Sequence, residues 1–515
     1  MKGLRIALGV LACAGGVLAG AERAEAQARL CPPARGGEAV LSGARFVTAS
    51  GYLDAEAQAH VSAQVRGCPA GRTDPSLAAV LTNQLYDAAT VPLAFARPAG
   101  VQNGVMLVEL VEIRYGDVSV RGNTFTRADY VLRRVGLEPG ALADVTDLQT
   151  RLERFPEIED ISIEADLEPG RALNTSDLIL TVQEPKQFRF TTVLDNYGSQ
   201  AQGIARATLA ASVASLTGRR DPLSLIASGS EGTRGLALSY TTPITASGTR
   251  LTFGLSRDQS SVVNNVLLNG LDSATQTVSV TLRTPIRASE AANDFVTAGL
   301  SVTQDDAQLA PLTLVDQRVR TLTLGSSHTR RWPGRAVLTA GQTVSIGVVD
   351  DGVAGVTDRF RAYSGFAALT YRISDRFTGA SQLNWQITPD LMPQSQRFAV
   401  TGPTHVRGYE TSAGSANAGF VLRNQISMTG LFEDAEGWSA APYAFFDLGQ
   451  GYDFTPGGAR AQGLLTSAGV GISVDFEVSP DLSLTLDAAI AKPLRSNALT
   501  ANRDPVLLVQ FGIRM

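Results

Sequence analysis

The chain has 515 residues, enough for two to four domains, and its 44% apolar content is that of a folded protein rather than a disordered one. Its 44 basic and 49 acidic side chains leave a net charge of −5, which supplies no basic footprint for nucleic acid, so a DNA- or RNA-binding role is set aside.

Residues 1–26 begin with Lys2 and Arg5, continue through the apolar run Ile6 to Leu18 and end in Ala24-Glu25-Ala26, the small-x-small pattern of a signal peptide. That apolar run is too short for a spanning helix, and no later stretch reaches about 18 uninterrupted apolar residues, so a helical membrane protein is not expected. The mature chain is expected to be exported. Cys13 leaves with the signal, and Cys31 and Cys68 remain. In an oxidising compartment the two could pair and tie residues 27–43 to the domain that follows. Two unrelated thiols are the alternative, because a sequence does not show whether two Cβ atoms come within bridging distance.

Two small domains are expected next, over residues 44–114 and 115–185. In the first, a strand at Arg45 to Thr48 precedes helical periodicity and a strand at Val105 to Val111. Asp74 suits an N-cap with Pro75 at the first helical position, and Leu77, Val80, Leu81 and Leu85 form a stripe expected in the core. The second opens with a strand at Asp117 to Arg121, turns at Gly122-Asn123 and continues with a helix over Ala128 to Val135. A further helix after Asp144 buries Val145, Leu148 and Leu152 and is stopped by Pro156. Strands carrying Ile161, Ile163 and Ala165, then Leu178, Leu180 and Val182, close a β-α-α-β-β unit.

Past Pro185 the helical stripes vanish. Leu251, Phe253 and Leu255 alternate with polar or small residues, as do Val296, Ala298, Leu300 and Val302, and later Ile472, Val474, Phe476 and Val478. Such a dyad repeat suits a half-buried soluble sheet or a membrane barrel with lipid outside and water inside. An export signal, the great length of the alternating region and a terminal strand with Leu507, Val509, Phe511, Ile513 and Met515 on one face favour the barrel. At roughly 20 residues per strand and connection, residues 186–515 hold about 16 strands.

The segment Gln386 to Tyr409 ends in Val406-Arg407-Gly408-Tyr409, and Phe445-Phe446-Asp447-Leu448-Gly449 follows. With Asp195-Asn196-Tyr197-Gly198-Ser199 before them, and Ser239 to Pro243 and Ala491 to Leu494 elsewhere, these motifs resemble the two-partner secretion transporters, the haemolysin and haemagglutinin activator (TpsB) family. The resemblance covers most of the mature chain. It implies two POTRA-type periplasmic domains before an outer-membrane barrel, and a long surface loop folded back into the pore with Val406, Arg407, Gly408 and Tyr409 at its tip. It also implies that Arg407 meets Asp447, with Phe445 and Gly449 beside it on a wall strand. Alternation through Tyr443 to Gly449 independently puts Asp447 on the face of Tyr443 and Phe445, and a carboxylate belongs in an aqueous lumen rather than in lipid. Four positions depart from the family pattern: Thr401-Gly402 stands for Gly-Gly, Ser412 to Asn417 for Gly-Asp, Gln425 for Glu, and the chain ends in Met515 rather than an aromatic residue.

Catalysis has no visible basis. His60, His328 and His405 are the only histidines, without HExxH, GxSxG, CxxC or a phosphate-binding glycine loop, so no enzyme, cofactor or metal site is expected. The expected role is translocation of an unfolded partner exoprotein across the outer membrane of a Gram-negative bacterium, the POTRA domains capturing the client and the barrel passing it. Expected contacts are that client, outer-membrane lipid, and the periplasmic chaperones and barrel-assembly machinery that insert the chain. A barrel-assembly insertase of the same superfamily and a diffusive porin are the alternatives.

Overall fold

A computed structural model describes residues 30–515 apart from 90, 92, 266–269, 412–413, 430–431, 434–436, 456–457 and 496–503. The expected signal peptide and Ser412 lie outside the described residues. The chain divides into two compact units, one made of residues up to 123 with 131–152 and 162–183, the other of 124–130, 153–161 and 184–515.

The first unit holds two three-stranded mixed sheets. β1 (Gly43–Phe46), α1 (Ala55–Val65), α2 (Leu77–Ala88), β2 (Ala94–Gln102) and β3 (Val105–Glu112) come first in the chain. Their sheet has the order β1-β3-β2, with β1 parallel and β2 antiparallel to β3. Asp54 caps α1 by accepting a hydrogen bond from the Ala57 amide at 2.8 Å, and Ala57, Val61 and Val65 form its buried face. The start of α2 differs from expectation. Asp74 accepts hydrogen bonds from the amide and hydroxyl of Ser76, an Asx turn that delays the helix to Leu77. The buried face then runs through Ala78, Ala79, Leu81, Thr82 and Tyr86, and Val80 is left 46% exposed. Leu77 and Leu85 pack against the same core as expected, so of the expected stripe only Val80 turns away from it. Cys31 and Cys68 are joined, with Cα atoms 5.8 Å apart.

The second sheet is built from β4 (Arg114–Arg121), β5 (Ser162–Pro169) and β6 (Thr175–Gln183) in the order β4-β6-β5. Leu178, Leu180 and Val182 of β6 and Ile163 of β5 are buried. Between β4 and β5 lie α3 (Ala128–Val135), α4 (Val145–Leu152) and α5 (Arg154–Ile158), one helix more than the sequence suggested. Pro156 explains the extra element. Within the first turn of a helix its missing N–H costs nothing, so it sits in α5 after α4 has ended.

The second unit is a closed antiparallel barrel of sixteen long strands. Its first half comprises β7 (Phe188–Asp195), β8 (Arg206–Val213), β9 (Leu223–Gly229), β10 (Thr233–Pro243), β11 (Arg250–Ser261), β12 (Leu271–Ala288), β13 (Ala292–Leu309) and β14 (Leu312–Trp332). β15 (Ala336–Asp351), β16 (Val356–Arg372) and β17 (Phe377–Ile387) lead into a long loop containing the short β18 (Phe398–Ala399) and β19 (Ser415–Ala416). The wall resumes with β20 (Ala418–Met428), β22 (Trp438–Thr455), β24 (Leu465–Ser479), β25 (Leu482–Pro493) and β26 (Val506–Arg514), with β21 (Phe432–Glu433) and β23 (Gly458–Ala461) as short additions. β26 pairs with β7 to close the ring, and the terminal Met515 extends that seam by exchanging two backbone hydrogen bonds with Phe190.

Burial separates the two readings that periodicity left open. Leu300, Leu324, Ile346 and Val470 are 51–63% exposed on the outside, while Thr303, Asp305 and Ser467 are at most 3% exposed. A soluble sheet would put the large apolar residues inside; a barrel bathed in lipid inverts them. Among the described residues no helix is long and apolar enough to cross a membrane. α5 and the residues after it belong to the barrel unit through ion pairs: Glu157 with Arg331 at 3.1 Å, Glu159 with Arg250 at 3.1 Å, and Asp160 with Arg189 at 2.8 Å and with the buried Arg220.

Candidate functional site: a loop held inside the barrel

The loop between β17 and β20 places Val406, Arg407, Gly408 and Tyr409 among wall side chains, with Val406 at 0%, Arg407 and Tyr409 at 5% exposure. Local sequence makes the turn possible. Gly408 has φ +86, a conformation in which a side chain is strained, and a Cβ there would lie only 3.2–3.3 Å from Pro493 and Ala491 of β25, so it would also crowd the wall. On the wall, a Cβ on Gly449 would come within 2.8 Å of Val406. Gly449 is therefore the socket for the loop tip. Val400, Val406, Tyr409, Val421 and Leu465 pack as one apolar cluster around it.

Arg407 and Asp447 meet. Arg407 Nε donates to Asp447 Oδ2 at 2.6 Å and Nη2 to Oδ1 at 2.8 Å, a bidentate geometry that fits the guanidinium fork, and the Arg407 amide adds a hydrogen bond at 3.3 Å. The Arg407 Cζ lies 3.6 Å from the Phe445 ring centre, a cation–π contact. Asp447 is fully buried while its neighbour Phe446 is 44% exposed on the outer face, so strand alternation carries the carboxylate inward. The Tyr409 hydroxyl donates to the Thr466 carbonyl at 2.8 Å and contacts the Arg495 carbonyl. Cys31 and Cys68 lie in the first unit and have no part in this site.

Several participants escaped sequence reasoning. Gln425, noted only as a departure, accepts a hydrogen bond from Arg407 Nη1 at 3.0 Å, so the amide oxygen does the acceptor's work without a second negative charge. Arg423, in register with Asp447 on the neighbouring strand, donates to the Thr404 carbonyl at 3.2 Å. The Asp195 to Ser199 motif also has a physical role. Asn196 bridges the seam, donating to the Leu507 carbonyl at 2.7 Å and accepting from the Val509 amide at 2.9 Å. The Tyr197 carbonyl accepts from Thr411 at 2.9 Å, and Glu410 accepts from the Gln200 amide at 2.9 Å, so the loop tip also touches the turn after β7. Alternation showed which residues face inward; it carried no signal for these pairings across the lumen. Among the described residues no group of His, Cys, Asp and Glu is placed to hold a metal ion; the His405 ring lies 3.1 Å from the Thr404 hydroxyl, and its amide donates to the Gly402 carbonyl at 3.0 Å.

A sixteen-stranded membrane barrel whose lumen is occupied by its own loop, preceded in the chain by two small α/β domains, is the architecture of a protein-transport pore. The sequence profile of the haemolysin secretion/activation proteins ShlB/FhaC/HecB matches residues 174–474, and the chain belongs to that family. It is an outer-membrane translocator that exports a partner exoprotein in two-partner secretion. The heme/hemopexin transporter protein HuxB of Haemophilus influenzae is 21% identical over 457 residues, covering 82% of this chain and 77% of that protein. Among solved structures, CdiB from Escherichia coli superposes with a TM-score of 0.67 at 18% identity over 96% of this chain and 95% of that one. CdiB from Acinetobacter baumannii gives 0.64 at 15% identity over 92% and 89%. BamA from Haemophilus ducreyi lacking POTRA domains 1–3 gives 0.57 at 14% identity over 93% and 100%, a likeness of fold alone.

Proposed function

We propose that the Arg407–Asp447 contact is the latch that keeps the loop in the pore, and that the pore opens to the exoprotein when this latch is released. The buried bidentate pair carries the reading. With side-chain exposures of 6% and 0%, neither partner can be rehydrated where it stands, so removing one strands a buried charge at a cost of about 3–5 kcal/mol. Such a contact is close to all-or-none, which suits a gate.

The two N-terminal domains lie in the periplasm in this reading and capture the client by adding it as a strand to a sheet edge. β2 is a poor edge for that purpose: Pro98 lacks a donor and the register shifts between Pro98 and Gly100. β5 pairs with β6 through eight residues without a shift and has one partner in its sheet. Main-chain pairing is largely indifferent to sequence, as an unfolded client requires. Export needs no nucleotide here; folding of the client outside supplies the driving force. Outer-membrane lipid surrounds the apolar belt, and periplasmic chaperones and the barrel-assembly machinery deliver the chain there. Arg407→Ala and Asp447→Ala should each abolish or severely reduce exoprotein in the medium while the barrel still assembles; normal secretion by either would sink the proposal.

A further inference from the structure

The lumen loop is fastened at a second place, at its root. Asp453 lies on β22 six residues beyond Asp447. An even separation on a strand puts both carboxylates on the same face, about 20 Å apart. Arg397, on the outgoing limb of the loop, donates from Nη2 to Asp453 Oδ1 at 2.8 Å and to the Ser415 carbonyl, on the returning limb, at 2.8 Å. Gln462 donates to Asp453 Oδ2 at 2.6 Å and to that same Ser415 carbonyl at 2.9 Å. Both limbs and the wall are thus tied through one carboxylate and one carbonyl. Asn417, 1% exposed, completes the knot by accepting from the Met392 amide at 2.8 Å and donating to Asp453 at 3.4 Å. Phe398 and Ala399 pair with Ala416 and Ser415 immediately beside it, so the root is a short stem clamped to the wall.

We propose that this root clamp stays closed while the tip is released, so that the loop swings about Arg397 and Asp453 and is returned to its socket after each passage. The claim rests on reading Arg407–Asp447 as the latch. The two fastenings differ in kind. At the tip the ion pair is dry, with side-chain exposures of 6% and 0%, and Gln425 and the Phe445 ring support its guanidinium, whereas at the root the side chains of Arg397 and Asp453 are 24% and 34% exposed and share their load with Gln462 and Asn417. Losing one partner at the root leaves the others in place, so the stem loosens without letting go. Arg397 and Asp453 are positioning residues: they set where the tip is, and the tip closes the pore.

The test uses the full chain in its membrane form, with barrel folding scored by heat-modifiable gel migration. Potassium chloride conductance in planar bilayers and exoprotein in the medium are read for Arg397→Ala, Asp453→Asn and Arg407→Ala. The two root variants should raise open-channel occupancy about two- to fivefold, the range of a partly exposed ion pair, and keep secretion within about twofold of the parent. In Arg397→Cys/Asp453→Cys, joining the two thiols with a short bis-thiosulfonate linker should return occupancy to the parent level and leave secretion running. Parental conductance in both root variants, or loss of secretion when the root is linked shut, overturns the proposal. Normal secretion by Arg407→Ala instead sinks the latch reading on which it rests, and that arm is scored separately.

Discussion

The two units of this chain solve opposite solvent problems with the same alternating strands. In the N-terminal unit Leu178, Leu180 and Val182 point into a core closed by helices; in the barrel Leu300, Leu324 and Val470 point outward, and Thr303, Asp305 and Ser467 point inward. Burial therefore measures stability in the first unit and polarity of the surroundings in the second. The difference explains why a charge can be fatal on the barrel's outer face and functional on its inner one.

That contrast can be broken by substitution. Leu180→Ala, which empties a fully buried site, should destabilise the N-terminal unit by about 2–5 kcal/mol in denaturant unfolding of its domains and leave barrel assembly intact. Replacing Cys31 and Cys68 by serine should cost the first domain about 3–4 kcal/mol, because the bond spans 37 residues of sequence; an unchanged midpoint under reducing and oxidising conditions would contradict this. Leu300→Arg on the lipid face should cost roughly 2–4 kcal/mol and lower the yield of folded barrel. Leu173→Arg, at a site 96% exposed in the N-terminal unit, should shift stability by no more than about 0.5 kcal/mol.

The smallest expected effect is one of pH. The Arg72 guanidinium, hydrogen-bonded to Glu38 at 2.7 Å, holds the Glu38 carboxyl down at about 2. A depressed carboxylate contributes stability that is fully present above its unfolded value of about 4.3 and is lost as pH falls toward about 2. Acid unfolding of the N-terminal unit between those limits should therefore be less steep in Glu38→Gln than in the parent, and identical curves would remove the pair from the account.

Much of this architecture was legible in residue order because its causes are local. Alternation at Leu251 to Leu255 and at Ile472 to Val478 reports the strands and their two faces, the export signal and the length of the region tip the reading to a barrel, and the placement of Asp447 follows from counting along one strand. What stayed hidden depends on chain segments far apart in sequence. Val80 looked like core until the sheet chose the alanine face of α2, and Pro156 looked like a stop until α5 began around it. Cys31 and Cys68 needed a distance. Gln425 read as a lost charge, yet it occupies the acceptor position beside Arg407, and Arg397 and Asp453 meet across residues whose spacing carries no pattern.

The central claim is that Arg407 and Asp447 act as one latch, and a charge exchange tests it most directly. Arg407→Asp and Asp447→Arg should each abolish or severely reduce secretion from a folded barrel, and Arg407→Asp/Asp447→Arg together should recover a measurable part of it. Secretion at the parent level in either single variant, or a double variant that secretes less than both singles, would contradict the account.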